Sequence, residues 1–326
     1  MSIRVGIAGY GHVGRGVETA LAQSPDMELK AVFTRRDPKT LTVRTPGTPV
    51  LPAGEAKRHR KEIDVMILCG SSAKDLPEQG PELAALFSTV DSYDVHASVP
   101  DYLSAMDKAA VRTAAVISAG WDPGLFSMTR MLSGAILPHG ADNTFWGRGV
   151  SQGHSAAARR VEGVIDAVQY TIPIESAVSD VRGGSSRSLT ASQRHVRECY
   201  VVPEEGADRA AIEHKIRQMP HYFAEYDTKV HFVTREELAL DHAGMPHGGF
   251  VIRTGTTGES RSHKHVMEFS LKLGSNPEFT ASVLVAYARA AARLAKEKQY
   301  GAKTVLDIPL TYLSPRDRGT LIKELI

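Results

Sequence analysis

Only two cysteines, Cys69 and Cys199, occur in 326 residues, which excludes a disulfide-stapled scaffold and a metal site built from cysteine. No run reaches the roughly 20 apolar residues of a spanning helix. The first residues, MSIRVGIAGY, lack the basic stretch, long apolar run and cleavage site of a secretory signal. Neither sign of charge dominates, with 39 Lys and Arg against 37 Asp and Glu. That balance excludes an extended nucleic-acid surface or a polybasic membrane face. Internal repeats and long low-complexity tracts are missing too; the nearest, RGGSSRS (182–188), reads as a surface loop. These absences predict a soluble cytoplasmic protein with no metal and no nucleic-acid or membrane partner. What is present is a hydrophobic content of 42%, enough for two domains with their own cores.

The N-terminal segment has a clear pattern. IRVGIAGYG (3–11) is an apolar strand ending in glycines, VGRGVETALAQS (13–24) has helical spacing, and MELKAVFT (27–34) reads as a second strand. The turn between the first strand and the helix, Gly9-Tyr10-Gly11-His12-Val13-Gly14, is a complete G-x-G-x-x-G. In this context it marks a dinucleotide site: Gly9 for the tight turn, Gly11 for backbone approach to a pyrophosphate, Gly14 for close helix packing. The free N–H groups of the helix start then face the phosphates.

At the end of the second strand an acid would bind the ribose of NAD, whereas arginine suits a 2′-phosphate. This chain has Thr34, Arg35 and Arg36 there, so the expected cofactor is NADP.

After a basic, proline-rich loop (38–61), DVMILCG (64–70) reads as a buried parallel strand. It ends at Cys69, Gly70, Ser71 and Ser72, which join the expected cofactor contacts. STVDSYDVH (88–96) and AAVISAGWDPG (114–124) are two further strands. They deliver Asp94 and Asp122 to the rim where open parallel sheets bind ligands. Each also suits a turn or helix cap, Asp122 before Pro123-Gly124 most of all; the shared rim favours function. Trp121, Pro123 and Gly124 fall in the same expected cofactor contact set. Beyond Gly124 the alternation of strands and helices breaks down. AVQYTIP (167–173), QRHVRECYVV (193–202), TKVHFVT (228–234), GMPHGGFVIRTG (244–255) and KHVMEFSLKL (264–273) read as strands of an open mixed sheet. The spacing of 276–305 predicts one long amphipathic helix. The expected fold is α/β: a Rossmann-type doubly wound parallel sheet over 1–120, with 276–326 packing back on it, and an α+β substrate and dimerisation domain over 121–275.

GYGHVGR, TRRDP, LCGSSAKDLPEQGP, VDSYDVH, ISAGWDPG, FWG, SQGHS, VQYT, MPHGG and NPEFT together resemble the meso-diaminopimelate dehydrogenase family, essentially from end to end. The resemblance implies a dimeric, NADP-dependent enzyme. It deaminates the D-centre of meso-2,6-diaminopimelate oxidatively, or runs in reverse, in lysine and cell-wall precursor synthesis. It implies that Asp94 and Asp122 meet the reacting amine and that Trp121 and Trp146 wall the site. Gln152 and Gly153 would hold the reacting-end carboxylate; Thr171, Arg197, His247 and Asn276 would bind the distal end. A bidentate clamp on a carboxylate suits Arg197; a strand-surface role suits it equally on sequence alone. The role of His154 stays open.

One departure stands out. Many members of the family carry an acid after SQGHS, and here the residue is Ala156. It keeps open a broad-range NADP-dependent D-amino acid dehydrogenase. A rival of another class, a non-catalytic NADP sensor, would keep the glycine loop without needing two carboxylates, an arginine and both tryptophans.

Overall fold

The computed structural model describes residues 2–220 and 222–326. In chain order the first elements are β1 (Ile3–Ala8), α1 (His12–Ala22), β2 (Met27–Thr34), β3 (Val50–Pro52), β4 (Val65–Leu68), α2 (Leu76–Ala84), β5 (Ser88–Asp91), α3 (Val99–Ala109) and β6 (Ala114–Val116). Next come α4 (Leu125–Ile136), β7 (Gly140–Trp146), β8 (Gly149–Val150), α5 (Gln152–Ala158), β9 (Val164–Pro173), α6 (Glu175–Arg182), α7 (Ala191–Arg194) and β10 (His195–Pro203). The chain continues through α8 (Arg209–Arg217), β11 (Thr228–Phe232), α9 (Arg235–Asp241), β12 (His247–Thr257), β13 (His263–Leu273), α10 (Asn276–Lys296), β14 (Gly301–Lys303) and α11 (Arg318–Leu325). Two compact units result: residues 1–128 with 277–326, and residues 129–276.

The first unit is a seven-stranded sheet in the order β14-β6-β5-β4-β1-β2-β3, with every pairing parallel. Both faces are covered, which is why its strands read as continuous apolar runs. Alternation along each strand sorts the side chains. Val5, Ile7, Val65 and Ile67 pack with Val17 and Leu21 of α1 and Leu284 and Leu294 of α10. Phe33, Met66 and Leu68 pack on the other face with Leu76 of α2 and Met106 of α3. Gly16 lets α1 meet α10 closely: a Cβ there would stand 2.9 Å from that of Ala281. Arg289 of α10, buried, forks onto Asp26 at 2.6 and 2.8 Å and donates to the Leu313 carbonyl at 2.8 Å.

The second unit contains two sheets. β11-β10-β9-β8 is mixed, with β10 and β11 parallel and the remaining pairs antiparallel; β13-β12-β7 is antiparallel. Ala157 and Ala158 of α5 pack on Ala167, Cys199 and Val201 of the first. Val178 and Val181 of α6 pack on Phe145 and Ile252 of the second. The α/β class with a parallel sheet and a separate mixed sheet is the one expected from sequence; the division of the later strands between two sheets is new.

Two segments differ from the sequence-based expectation. Residues 38–61 are more than a loop: β3 adds an edge strand to β2, followed by a 3-10 turn at Ala53–His59. The helix expected over 276–305 stops at Lys296. Lys298 at φ +60° and Gly301 at φ +91° turn the chain through left-handed conformations that end a helix, and β14 then joins the sheet beside β6. Apolar spacing carried over the break because β14 packs against the same unit.

Candidate active site

A cleft of about 740 Å³ opens at the carboxyl ends of β1, β2 and β4. The strand order reverses here: β1 leads outward to β2, and the chain returns to place β4 on the other side of β1. Such reversals create ligand crevices. Gly9, Tyr10, Gly11, Thr34, Arg35, Arg36, Cys69 and Gly70 line it. Gly9 has φ +95°, and a Cβ on Gly14 would lie 2.3 Å from the Gly9 carbonyl oxygen, so each glycine is required for its own reason. Around Gly11 the space a Cβ would enter is open for 4 Å. His12 and Val13 begin α1, which has no side-chain cap at its start. Open space at a bare helix start suits a phosphate group.

The arginines are held in place. Buried Thr34 accepts from the Arg36 backbone N–H at 3.1 Å, and the Arg36 guanidinium donates to the Tyr10 carbonyl. Arg35 pairs with Asp75 at 2.6 Å, and Asp75 also accepts from the Ser71 N–H at 2.9 Å. Tyr10 donates to buried Glu18, which accepts from the N–H groups of Arg44 and Thr45 at 2.7 and 2.6 Å. Asp75 and Glu18 are missing from the sequence-based candidates. Asp75 could have been found from LCGSSAKD, a turn with an acid four residues after a serine. An acid on the inner face of α1 was the available signal for Glu18.

Asp94 is exposed just beyond β5, and its N–H donates to Ser72 at 3.2 Å. Asp122 lies half-buried in a tight turn closed by Gly120 N–H to Pro123 carbonyl at 3.1 Å. The turn needs Gly124: its φ is +133° and a Cβ would stand 1.7 Å from the Gly120 oxygen. Trp121 is buried, edge-on to Phe126 with ring centroids 5.3 Å apart. Strands β5 and β6 thus present both carboxylates at one edge of their sheet.

In the second unit, β9 and β10 place Thr171 opposite Arg197, and β8 places Gly149 on the other side of Thr171. Buried Arg197 donates to the Thr171 hydroxyl and lies 4.0 Å from the centroid of the Tyr226 ring. Among the described residues no carboxylate pairs with it, and its Nε is buried without a partner. On the same face of β9, the Gln169 amide is buried with neither end bonded. Burial pushes the Arg197 pKa down; a buried unpaired cation is costly, and an anionic ligand would relieve it.

Trp146 pairs with Gly249 in the β7–β12 ladder. Its backbone N–H donates to His195 Nε2 at 2.8 Å, the two rings stack, and Arg194 lies 5.8 Å from the indole centroid. Burial pushes His195 down to about 3, so its ring is neutral and accepts that bond. His247 is also lowered by burial. It sits against Gly149, where a Cβ would come within 2.5 Å of its Nδ1. Gln152 and Gly153 open α5, both exposed, and Asn276, whose N–H reaches the Met245 carbonyl at 3.2 Å, opens α10. His154 bonds Ser151 at 2.7 Å and packs edge-on to Tyr222 and Phe223. Burial, then Arg197, pushes it down to about 4. Its neutral ring is a packing element. Tyr226, Arg194 and His195 are additions to the sequence-based candidates; RHVR flanking Arg197 was the only hint.

Residues 120–275 match the family described as the diaminopimelic acid dehydrogenase C-terminal domain. The chain is 59% identical to the meso-diaminopimelate D-dehydrogenase of Ureibacillus thermosphaericus, covering 99% of each chain. It belongs to the meso-diaminopimelate dehydrogenase family. The Lysinibacillus sphaericus member is 56% identical over 100% of this chain and 99% of its own. Two solved structures agree in fold. A Corynebacterium glutamicum diaminopimelate dehydrogenase in complex with diaminopimelate has a TM-score of 0.93 at 44% identity, covering 100% of this chain and 99% of that one. An engineered D-amino acid dehydrogenase bound to NADP+ has a TM-score of 0.89 at 43% identity, covering both chains fully. The family is one of amino-acid dehydrogenases, and no helix among the described residues is long and apolar enough to cross a membrane.

Proposed function

We propose that this protein catalyses the reversible, NADP-dependent oxidative deamination of the D-centre of meso-2,6-diaminopimelate, giving L-2-amino-6-oxopimelate and ammonia. The observation that carries the substrate is the buried guanidinium of Arg197, which has a spare donor and, among the described residues, no carboxylate partner. A substrate with an amino acid at its non-reacting end supplies that anion. Family membership supports the rest.

In this reading the unit of residues 1–128 and 277–326 binds cofactor and carries Asp94, Trp121 and Asp122 for the reacting end, and the unit of residues 129–276 carries the remaining substrate contacts and binds a second copy of the chain. Gly9–Gly14 and Cys69–Ser72 receive the pyrophosphate and neighbouring groups, and Thr34, Arg35 and Arg36 bind the 2′-phosphate. Arg35 shares or leaves its pair with Asp75 to meet that phosphate. Asp94 and Asp122 accept from the reacting amine and fix its Cα–H; Gln152 and Gly153 hold the adjacent carboxylate, and Trp121 and Trp146 exclude water. Thr171, Arg197, neutral His247 and Asn276 grip the distal end. When bound, the nicotinamide supplies the hydride acceptor. The chain supplies orientation and charge. Deamination needs a neutral amine, so turnover in that direction rises toward alkaline pH.

Mixing protein, NADP+ and meso-diaminopimelate should generate NADPH absorbance, with little from NAD+ or from D-norleucine. Absence of any NADPH would overturn the reading. A rate with D-norleucine above that with meso-diaminopimelate would favour the broad-range D-amino acid dehydrogenase. Ala156 is the observation behind that second reading: it is half-buried on α5, next to the Ser155 hydroxyl that accepts from the Gln169 N–H at 2.9 Å.

A further inference from the structure

Asp91 ends β5 and is fully buried. Its Oδ1 accepts from the N–H of Tyr93 at 2.9 Å and of Ser118 at 3.1 Å; its Oδ2 accepts from the Tyr102 hydroxyl at 2.9 Å. Strands β5 and β6 pair only at Thr89 with Ala115 and Val90 with Val116. Beyond those pairs the ladder has ended, yet the two turns that carry Asp94 and Asp122 begin there. The side chain of Asp91 bridges the gap, aided by its carbonyl, which accepts from the Ala119 N–H at 2.8 Å. Ser118, on the second turn, holds φ +55°, a conformation that a non-glycine residue adopts only when its surroundings enforce it. Tyr93 and Tyr102 stack with ring centroids 4.1 Å apart, so the third partner is itself fixed against the first turn. Among the described residues no cation takes part, the partners being two peptide N–H groups and a phenol, and burial pushes the carboxyl up to about 6. An ionised group held at such a cost indicates a use other than stability.

We propose that Asp91 is a positioning residue whose carboxylate locks the two rim turns in register, so that Asp94 and Asp122 face one amine together. The proposal rests on the reading that those two aspartates meet the reacting centre. Displacing reacting groups by about 1 Å costs roughly a hundredfold in rate.

The test is steady-state kinetics on Asp91→Ala, Asp91→Asn, Tyr102→Phe, Asp94→Ala and Asp122→Ala, with meso-diaminopimelate and NADP+. Asp91→Ala should lower kcat by about a hundredfold while the NADP+ KM moves less than about threefold. Asn keeps one oxygen for the two N–H groups and offers its amide to the Tyr102 oxygen, so Asp91→Asn should recover kcat to within about fivefold of the parent. If Asp91→Ala does not fold, Tyr102→Phe decides: it removes one bond and should lower kcat by about three- to tenfold at unchanged NADP+ KM. Parent-like kcat in Asp91→Ala, or in Tyr102→Phe, overturns the proposal, as does an Asn variant no better than Ala. If Asp94→Ala and Asp122→Ala both retain turnover, the catalytic reading and this one fall together. If those two lose turnover and Asp91→Ala does not, only the positioning role falls.

Discussion

Two buried arginines, one in each unit, are held in opposite ways. Arg289 has a carboxylate fork and a carbonyl and leaves no donor nitrogen idle. Arg197 has a threonine hydroxyl, a tyrosine ring and an idle Nε. The first is a completed structural bond between α10 and the turn before β2. The second is an incomplete one, and incompleteness in a buried charge is evidence of a missing partner. A similar contrast holds between the cleft of the first unit and the surroundings of Arg197. In the first unit, polar side chains at the cleft satisfy one another, as Arg35 with Asp75 and Tyr10 with Glu18. In the second, Gln169 lies buried with both ends free.

The largest effect expected is on Arg289. Arg289→Met should lower unfolding free energy by about 3 kcal/mol, the low end for breaking a buried pair, because Asp26 still reaches water. The same change at Arg197 should leave stability equal or raise it, since it removes a buried charge that nothing neutralises. Paired urea titrations of the two variants measure this, and equal losses would erase the distinction. On the order of 3 kcal/mol is also expected from pH at Asp91. Its folded pKa of about 6 lies above the unfolded value near 3.9. A raised carboxyl contributes stability that is complete below the unfolded value and lost as pH rises through about 6. Asp91→Asn should therefore gain on the parent between pH 4 and pH 7, as read by thermal midpoints. Parallel profiles would mean that burial does not raise the Asp91 pKa in the folded chain.

How much of this was legible in the residues differs between the units for a physical reason. Glycine turns and parallel strands are local: Gly14 and Gly124 each meet backbone a few residues away, Gly9 takes a positive φ within its own turn, and their motifs state the geometry. The end of α10 was hidden because Lys298 carries no breaker signal, and β3 because three residues beside prolines lack a period. The tie of Arg35 to Asp75 spans 40 positions, and Arg197 on β10 meets Tyr226 in the bend before β11. Contacts of that kind have no spacing rule, so the partner of Arg35, the role of Tyr226 and the bridge made by Asp91 emerge only from coordinates.

The distal clamp gives the next effect. Arg197→Met should reduce the specificity constant for meso-diaminopimelate by one to two powers of ten, the equivalent of about 1.5–3 kcal/mol for a charged hydrogen bond. The constant for D-norleucine should hold or rise, because an apolar side chain then meets an apolar pocket. A ratio of the two constants that does not move would remove Arg197 from the distal end. Its binding energy acts at a distance by fixing the reacting carbon, so the loss should appear in kcat as well as KM.

The smallest effect lies where the first unit is most nearly complete. Arg35 is two-thirds exposed on its side chain, and its pair with Asp75 is worth at most about 1 kcal/mol to stability. Arg36 bonds a carbonyl of the glycine loop. Replacing both by Ala should leave the melting temperature nearly unchanged while raising the NADP+ KM about tenfold and moving the NAD+ KM little. The two arginines need not act equally. Arg35 must share its carboxylate or leave it to meet a phosphate, whereas Arg36 keeps further donors free while bonding one oxygen. Single variants therefore sharpen the comparison: Arg36→Ala should account for more of the loss than Arg35→Ala, and Asp75→Ala, which frees Arg35, should lower the NADP+ KM or leave it unchanged. A rise in that KM in Asp75→Ala would show that the ion pair pre-orients Arg35, and that the cleft is built in advance of its ligand in the way the Arg197 pocket is not.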